Sequence, residues 1–143
     1  MLLGQHSQKV ASKNRIAVPV KFRKDLGDRL IISQGFENSL LLLEPKSWQK
    51  LISGAVVGPF TTGAVRNTLR FLIGGAVEIE LDWQGRFVLP SHLKKFARIE
   101  KEVVFVGLLN WVEIWNARDW IIHSKKIANE SSTIAEKLKE IGS

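Results

Sequence analysis

Along residues 76–81 the chain alternates apolar Val77, Ile79 and Leu81 with charged Glu78 and Glu80. That period of two is the mark of a strand with one buried face. Ile16 and Val18, and again Phe87 and Leu89, repeat the spacing beyond short polar turns. An extended segment over 5–10 precedes the first turn as 76–81 precedes the second, so each pattern predicts a β-hairpin. Lys13-Asn14 and Gln84-Gly85 form the predicted tips. Asn14 and Gly85 occupy the same position and are the residue types that most readily take positive φ, which points to a backbone demand. Pro19 and Pro90 end the second strands and open short helices over 20–26 and 91–97. Apolar strands follow at 30–33 and 40–43, and at 103–106 and 112–115. Pro45 starts a further helix that Gly54 stops, and Asn116 with Asp119 starts its counterpart. Thr62 caps a predicted connecting helix, and Thr133 with Glu136 has capping-box spacing for a C-terminal one.

The pattern is printed twice. Ser12-Lys13-Asn14-Arg15-Ile16-Ala17-Val18-Pro19 is echoed by Trp83-Gln84-Gly85-Arg86-Phe87-Val88-Leu89-Pro90, with both arginines and both prolines 71 residues apart. Gly35 and Gly107, Asn38 and Asn110, and Trp48 and Trp120 follow at a spacing of 72. The duplication predicts a pseudo-symmetric α+β fold presenting two equivalent surfaces, each with an arginine on a tight turn. It divides the chain into a first half (1–54), a connecting helix (55–75), a second half (76–128) and a helical tail (129–143).

Composition narrows the function. A chain of 143 residues with 45% hydrophobic content is globular. Each copy, at about 50 residues, buries too little core to be comfortable alone. The net charge of +7 favours a polyanionic partner. There is no cysteine, so disulfides, thiol catalysis and zinc-thiolate sites are excluded. His6, His92 and His123 lie far apart without ligand spacing, so no metal site is expected. The longest charge-free apolar run, over 103–112, falls short of the roughly 20 residues of a membrane helix. The N-terminus lacks the basic flank and apolar core of a signal peptide, so a cytoplasmic protein is expected.

No paired carboxylates, triad signature or phosphate-binding glycine pattern suggests an enzyme, a cofactor or a small-molecule substrate. The repeated turn is the stronger candidate. An arginine directly behind a hairpin tip can grip phosphate or read the O6/N7 edge of guanine. Arg15 and Arg86 are therefore the principal candidate contacts, with Lys13, Asn14, Gln84 and Gly85 beside them. Arg23, Lys24, Arg66, Arg70, Lys94, Lys95 and Arg98 are candidates for additional phosphate contacts. The bland alternative makes both arginines internal braces, with Asp82 pairing to Arg86 across its own turn. Ala11, at the matching place, offers no such partner. Trp83, inside the second turn, suits either stacking on DNA or pinning the turn to a neighbouring subunit. Two bidentate arginines supply about 2–6 kcal/mol of discrimination. Specific DNA sites need about 4–10 kcal/mol, so several chains acting together are expected.

These residues carry a family resemblance. The opening Met1-Leu2-Leu3-Gly4, both turn motifs, Asp25-Leu26-Gly27-Asp28 and Val112-Glu113-Ile114-Trp115 together resemble the MraZ family of bacterial regulators of the division and cell-wall gene cluster. The resemblance implies two AbrB-like swapped-hairpin half-domains forming a small β-barrel with surrounding helices. It also implies ring-shaped homo-oligomers (octamer or dodecamer) and binding to short promoter repeats upstream of the family's own operon, with nucleoid association and repression. The family signature is Asp-x-x-x-Arg in each half. The second half keeps it as Asp82 through Arg86, with Asp82 orienting the turn; the first has Ala11 in place of the acid. The alternatives are an antitoxin-like or RNA-binding member of the hairpin class, or an interaction scaffold, including one docked on an anionic membrane. The lack of a basic amphipathic terminal helix argues against the membrane.

Overall fold

The computed structural model describes residues 1–56 and 58–142; Val57, within the segment read as the connecting helix, and Ser143, within the tail, lie outside the described residues. Strand β1 (Leu2–Lys9) leads through a 3-10 turn (Ser12–Asn14) into β2 (Arg15–Ala17) and helix α1 (Val20–Leu26). Strands β3 (Arg29–Gln34) and β4 (Leu40–Leu43) precede α2 (Pro45–Ala55) and α3 (Gly63–Leu72). The second repeat brings β5 (Val77–Glu80), β6 (Arg86–Val88), α4 (Ser91–Phe96), β7 (Glu102–Leu109), β8 (Val112–Asn116) and α5 (Ala117–Asn129), and α6 (Ser131–Gly142) follows. The fold is α+β, and all its strand pairs are antiparallel.

The predicted hairpins do not close as ladders. Six strands form one sheet in the order β1-β7-β8-β4-β3-β5, and β2 pairs with β6 as a separate ribbon. Strand β1 therefore pairs with the second repeat, from Leu2 opposite Leu109 to Lys9 opposite Glu102. Strand β5 pairs with the first repeat, from Arg29 opposite Glu80 to Ile32 opposite Val77. Within each turn only one main-chain bond joins the flanking segments, Ala11 N–H to Arg15 O at 2.8 Å and Asp82 N–H to Arg86 O at 2.9 Å. The physical reason is burial. β1 buries only Leu2 fully, whereas β7 offers four consecutive buried residues, Val103 to Val106. A two-stranded hairpin alone is marginal in water, and exchange gives each lone strand a sheet to complete.

One hydrophobic cluster results, drawn from both repeats: Ile16, Val18, Phe22 and Leu30 pack with Phe87, Leu89, Leu93, Phe105 and Ile114. Two satellites lie outside it. Trp48 of α2 packs with Trp111 against Leu41, Leu43 and Leu72, and Trp120 of α5 packs on Trp115 with ring centres 5.3 Å apart.

Helix ends follow local chemistry. Thr62 Oγ1 accepts the Val65 N–H at 3.3 Å, and Asn116 Oδ1 accepts those of Arg118 and Asp119 at 2.8 and 3.3 Å. Thr133 does not act as a cap. Helix α6 begins at Ser131, after Glu130 alone separates it from α5, and Ile134 N–H already bonds Glu130 O at 2.9 Å. The capping-box spacing therefore falls inside the first turn.

The exchange of β1 imposes a close approach at Gly107, which faces Gly4. A Cβ there would lie 2.6 Å from both Leu2 C and Leu3 N of the opposing backbone. Gly107→Ala is expected to destabilise the fold by about 1–3 kcal/mol, the usual cost of overpacking. Gly54→Ala, where a Cβ meets open space, should leave it unchanged or slightly more stable. Thermal unfolding of the two variants checks this.

Candidate nucleic-acid interface

The β2–β6 ribbon places the two turns. Its register sets Arg15 opposite Val88, Ile16 opposite Phe87 and Ala17 opposite Arg86. Leu89 N–H to Asn14 O at 2.8 Å and Val18 N–H to Gly85 O at 2.9 Å extend the pairing symmetrically at both ends. Side chains alternate across a strand, so Ile16 and Phe87 share one face and Arg15, Ala17, Arg86 and Val88 the other. The first pair is buried in the core; both arginines are half-buried and Val88 is exposed. The sequence expectation of two equivalent surfaces is thus corrected. The repeats meet, and their arginines stand diagonally on a single face.

Both turns use left-handed backbone, at Lys13 (φ 60°) and Asn14 (φ 57°) in the first and at Gly85 (φ 74°) in the second. Yet Asn14 and Gly85 answer more than a backbone demand. Lys94 of the opposite repeat donates to Asn14 Oδ1 at 2.8 Å. Arg23, which sits 71 positions before Lys94, donates from Nε to Val18 O at 2.6 Å and lies so close to Gly85 that a Cβ there would meet its Nε at 2.2 Å. Each short helix thereby supports the other repeat's turn. The spacing of 71 between Arg23 and Lys94 was a signal available in the sequence.

The second turn is tied down further by Asp82. Its Oδ1 accepts the Gln84 and Arg86 N–H groups, each at 2.9 Å, and its main-chain carbonyl accepts the Gly85 N–H at 2.8 Å. Its Oδ2 accepts Arg86 Nε at 3.1 Å. The bracing alternative therefore holds in part for Arg86. Binding through Nε leaves the four N–H donors on the two terminal nitrogens of the guanidinium for other partners. Ala11 supplies no such tether, and Arg15 makes no side-chain hydrogen bond or ion pair within the described residues. The Arg86 N–H, above all, holds the Asp82 carboxyl below its ordinary value; partial desolvation opposes this, and the Gln84 N–H and the Arg86 guanidinium reinforce it.

Several other basic side chains are occupied elsewhere. Arg23 and Lys94 brace the turns. Arg66 donates to Thr61 O at 2.6 Å and Phe60 O at 3.2 Å, and Arg70 to Asn67 Oδ1 at 2.9 Å. Arg98 pairs with Asp119 at 3.3 Å. These five have partners within the chain, and Arg66, Arg70 and Arg98 are exposed as well. Lys13, Lys24 and Lys95 are exposed.

A family model described as "MraZ protein, putative antitoxin-like" matches the chain twice, over residues 1–71 and 72–140. This chain belongs to the MraZ family. The Transcriptional regulator MraZ of Caldicellulosiruptor bescii is 39% identical over 145 residues, covering 99% of each chain. That of Caldanaerobacter subterraneus subsp. tengcongensis is 38% identical over 138 residues and 96% of each chain. The relative from Syntrophomonas wolfei is 34% identical over 142 residues and 99% of each chain. These relatives are named as transcriptional regulators, not as enzymes. The first family match runs to residue 71 and so takes nearly all of α3 into the first repeat. Among the described residues, no helix is long and apolar enough to cross a membrane.

Because Asp82 binds the turn as an anion, its support is complete above its unfolded value of 3.8 and is lost as pH falls through its depressed folded value. Amide exchange at Gln84 and Arg86 should therefore stay protected from neutral pH down to about pH 5. Asp82→Ala should remove that protection across the whole range while the ribbon amides of Val18 and Leu89 keep theirs. NMR hydrogen exchange distinguishes the two responses.

Proposed function

We propose that this chain is a sequence-specific, duplex-DNA-binding transcriptional regulator whose principal contacts are Arg15 and Arg86. The observation that carries this reading is their shared placement on the outer face of one ribbon, with buried Ile16 and Phe87 anchoring the inner face. The ribbon fixes where each guanidinium is rooted, and from there it can meet phosphate or a guanine edge bidentately. Lys13, Asn14, Gln84 and Gly85 flank the contact, Asp82 orients its half, and the loss of an acid at Ala11 leaves Arg15 to be ordered by the DNA itself. The names of the relatives support regulation of transcription as the outcome.

Finer features belong to the same proposal. The exchanged strands are read as the AbrB-like swapped-hairpin arrangement, with sheet and ribbon curling into a small β-barrel. One ribbon with two arginines supplies about 2–6 kcal/mol of base discrimination, which falls short of a typical specific site. A ring-shaped homo-oligomer would engage several promoter repeats at once and multiply that grip. The target is the promoter region of the division and cell-wall cluster, the expected sign is repression, and the place is the cytoplasm, on the nucleoid.

The test is a gel shift with duplex DNA from upstream of the chain's own gene, over a salt series and with RNA as competitor. The Arg15→Ala, Arg86→Ala double variant should lose specific affinity about 30-fold or more while its assembly, read by light scattering, stays the same. Wild-type affinity should fall steeply with salt as counterions are released. Unchanged affinity in the double variant would remove the site assignment. Equal preference for random DNA, or displacement by RNA, would remove the regulatory reading.

A further inference from the structure

The pseudo-symmetry of the ribbon is broken at one exposed apolar side chain. Trp83 is 90% exposed, more than any other large hydrophobic residue among the described residues, and its counterpart in the first repeat is Ser12. It does not hang on a loose loop. The residues around it are fixed by the Gln84 and Arg86 N–H bonds to Asp82 Oδ1, at 2.9 Å each, and by Gly85 N–H to Asp82 O at 2.8 Å. The backbone beneath the indole is thus fixed while the ring itself stands in water, and an apolar surface presented this way gains by being buried against something outside the chain.

The setting selects the partner. Trp83 stands three residues from Arg86, on the turn that feeds the face carrying Arg15 and Arg86. The one acid in that turn, Asp82, is already committed to its own backbone and to Arg86. A second copy of the chain brought face to face here would set arginines against arginines. A polyanion meets no such repulsion. A neutral indole, however, adds nothing to phosphate attraction. The surfaces on duplex DNA that it can bury are apolar, chiefly thymine methyl groups and the faces of bases at an opened step.

Resting on the DNA-binding reading above, we infer that Trp83 is a specificity-determining contact, packing its indole against the apolar surface of a nucleobase on one side of the recognised element. The ribbon is then functionally lopsided. Its second turn reads a base through an aromatic side chain, while its first turn, with Ser12 and Lys13, offers only polar and cationic groups. The acid that pre-orders the turn and the indole that turn holds occur in the same half. That pairing is what a rigid reading head requires.

The experiment compares the full chain with Trp83→Ser, which copies Ser12, and with Trp83→Phe. Affinity is measured for duplex DNA from immediately upstream of the chain's own coding sequence and for a scrambled duplex of equal length. The expected result is that Trp83→Ser lowers the specific-to-scrambled affinity ratio about tenfold or more, in line with the cost of one misread base pair in a duplex site. Trp83→Phe should keep most of the ratio. Affinity for the scrambled duplex, its salt slope and the mass of the assembly should stay at their wild-type values. An unchanged ratio in Trp83→Ser overturns the inference and leaves the arginine-based reading standing. A changed assembly mass also overturns it, by placing the indole at a contact between chains. A wild-type chain with no preference between the duplexes fails the DNA-binding reading first, and this inference with it.

Discussion

The structure depends on strands finding their partners in the opposite repeat. Strand β1 completes β7, β5 completes β3, and β2 exists as a strand only because β6 lies beside it. Each repeat on its own would leave apolar edges in water and a three-residue strand with no neighbour. Joined, they enclose one core that includes Phe22, Phe87 and Phe105 together. Stability and the shape of the outer face therefore have a single origin. Whatever loosens the exchange also scatters the two arginines.

That dependence extends to the turns. Lys94 reaches across to Asn14, and Arg23 closes over Gly85, so each helix stiffens the loop of the repeat to which it does not belong. The two supports differ in chemistry. One is a charged hydrogen bond to a side-chain amide; the other is close packing against a residue with no side chain. Asp82 adds a third support to the second turn alone. The two turns are similar in sequence, and the second, with Asp82, is the more tightly tied.

The basic character of the chain looks different once side chains are placed. A net charge of +7 suggests a broad cationic surface. Several of these cations also have structural tasks: Arg66, Arg70 and Arg98 hold loop carbonyls, an asparagine and an aspartate, and Arg23 and Lys94 hold the turns. On the outer face of the ribbon itself stand Arg15 and Arg86. A guanidinium bonded to a neutral carbonyl or amide keeps its full charge, so these groups close loops and still add to the positive field of the surface.

Local features were legible in the sequence because their causes are local. The helix starts at Pro45, Thr62 and Asn116, the left-handed positions at Asn14 and Gly85, and the acid-tethered turn after Asp82 all follow from residues a few positions apart. So did the repeat itself, and with it the family. Thr133 was misleading for the same reason, since an adjacent helix end at Glu130 displaced a cap that its own neighbours allowed. Which strand lies beside which was decided only by tertiary structure. Alternation tells a strand to bury one face, but it says nothing about whether the covering strand lies ten residues away or a hundred. Only the joint core of the two repeats makes that choice, and the same joining sets Arg15 and Arg86 on one face of the β2–β6 ribbon.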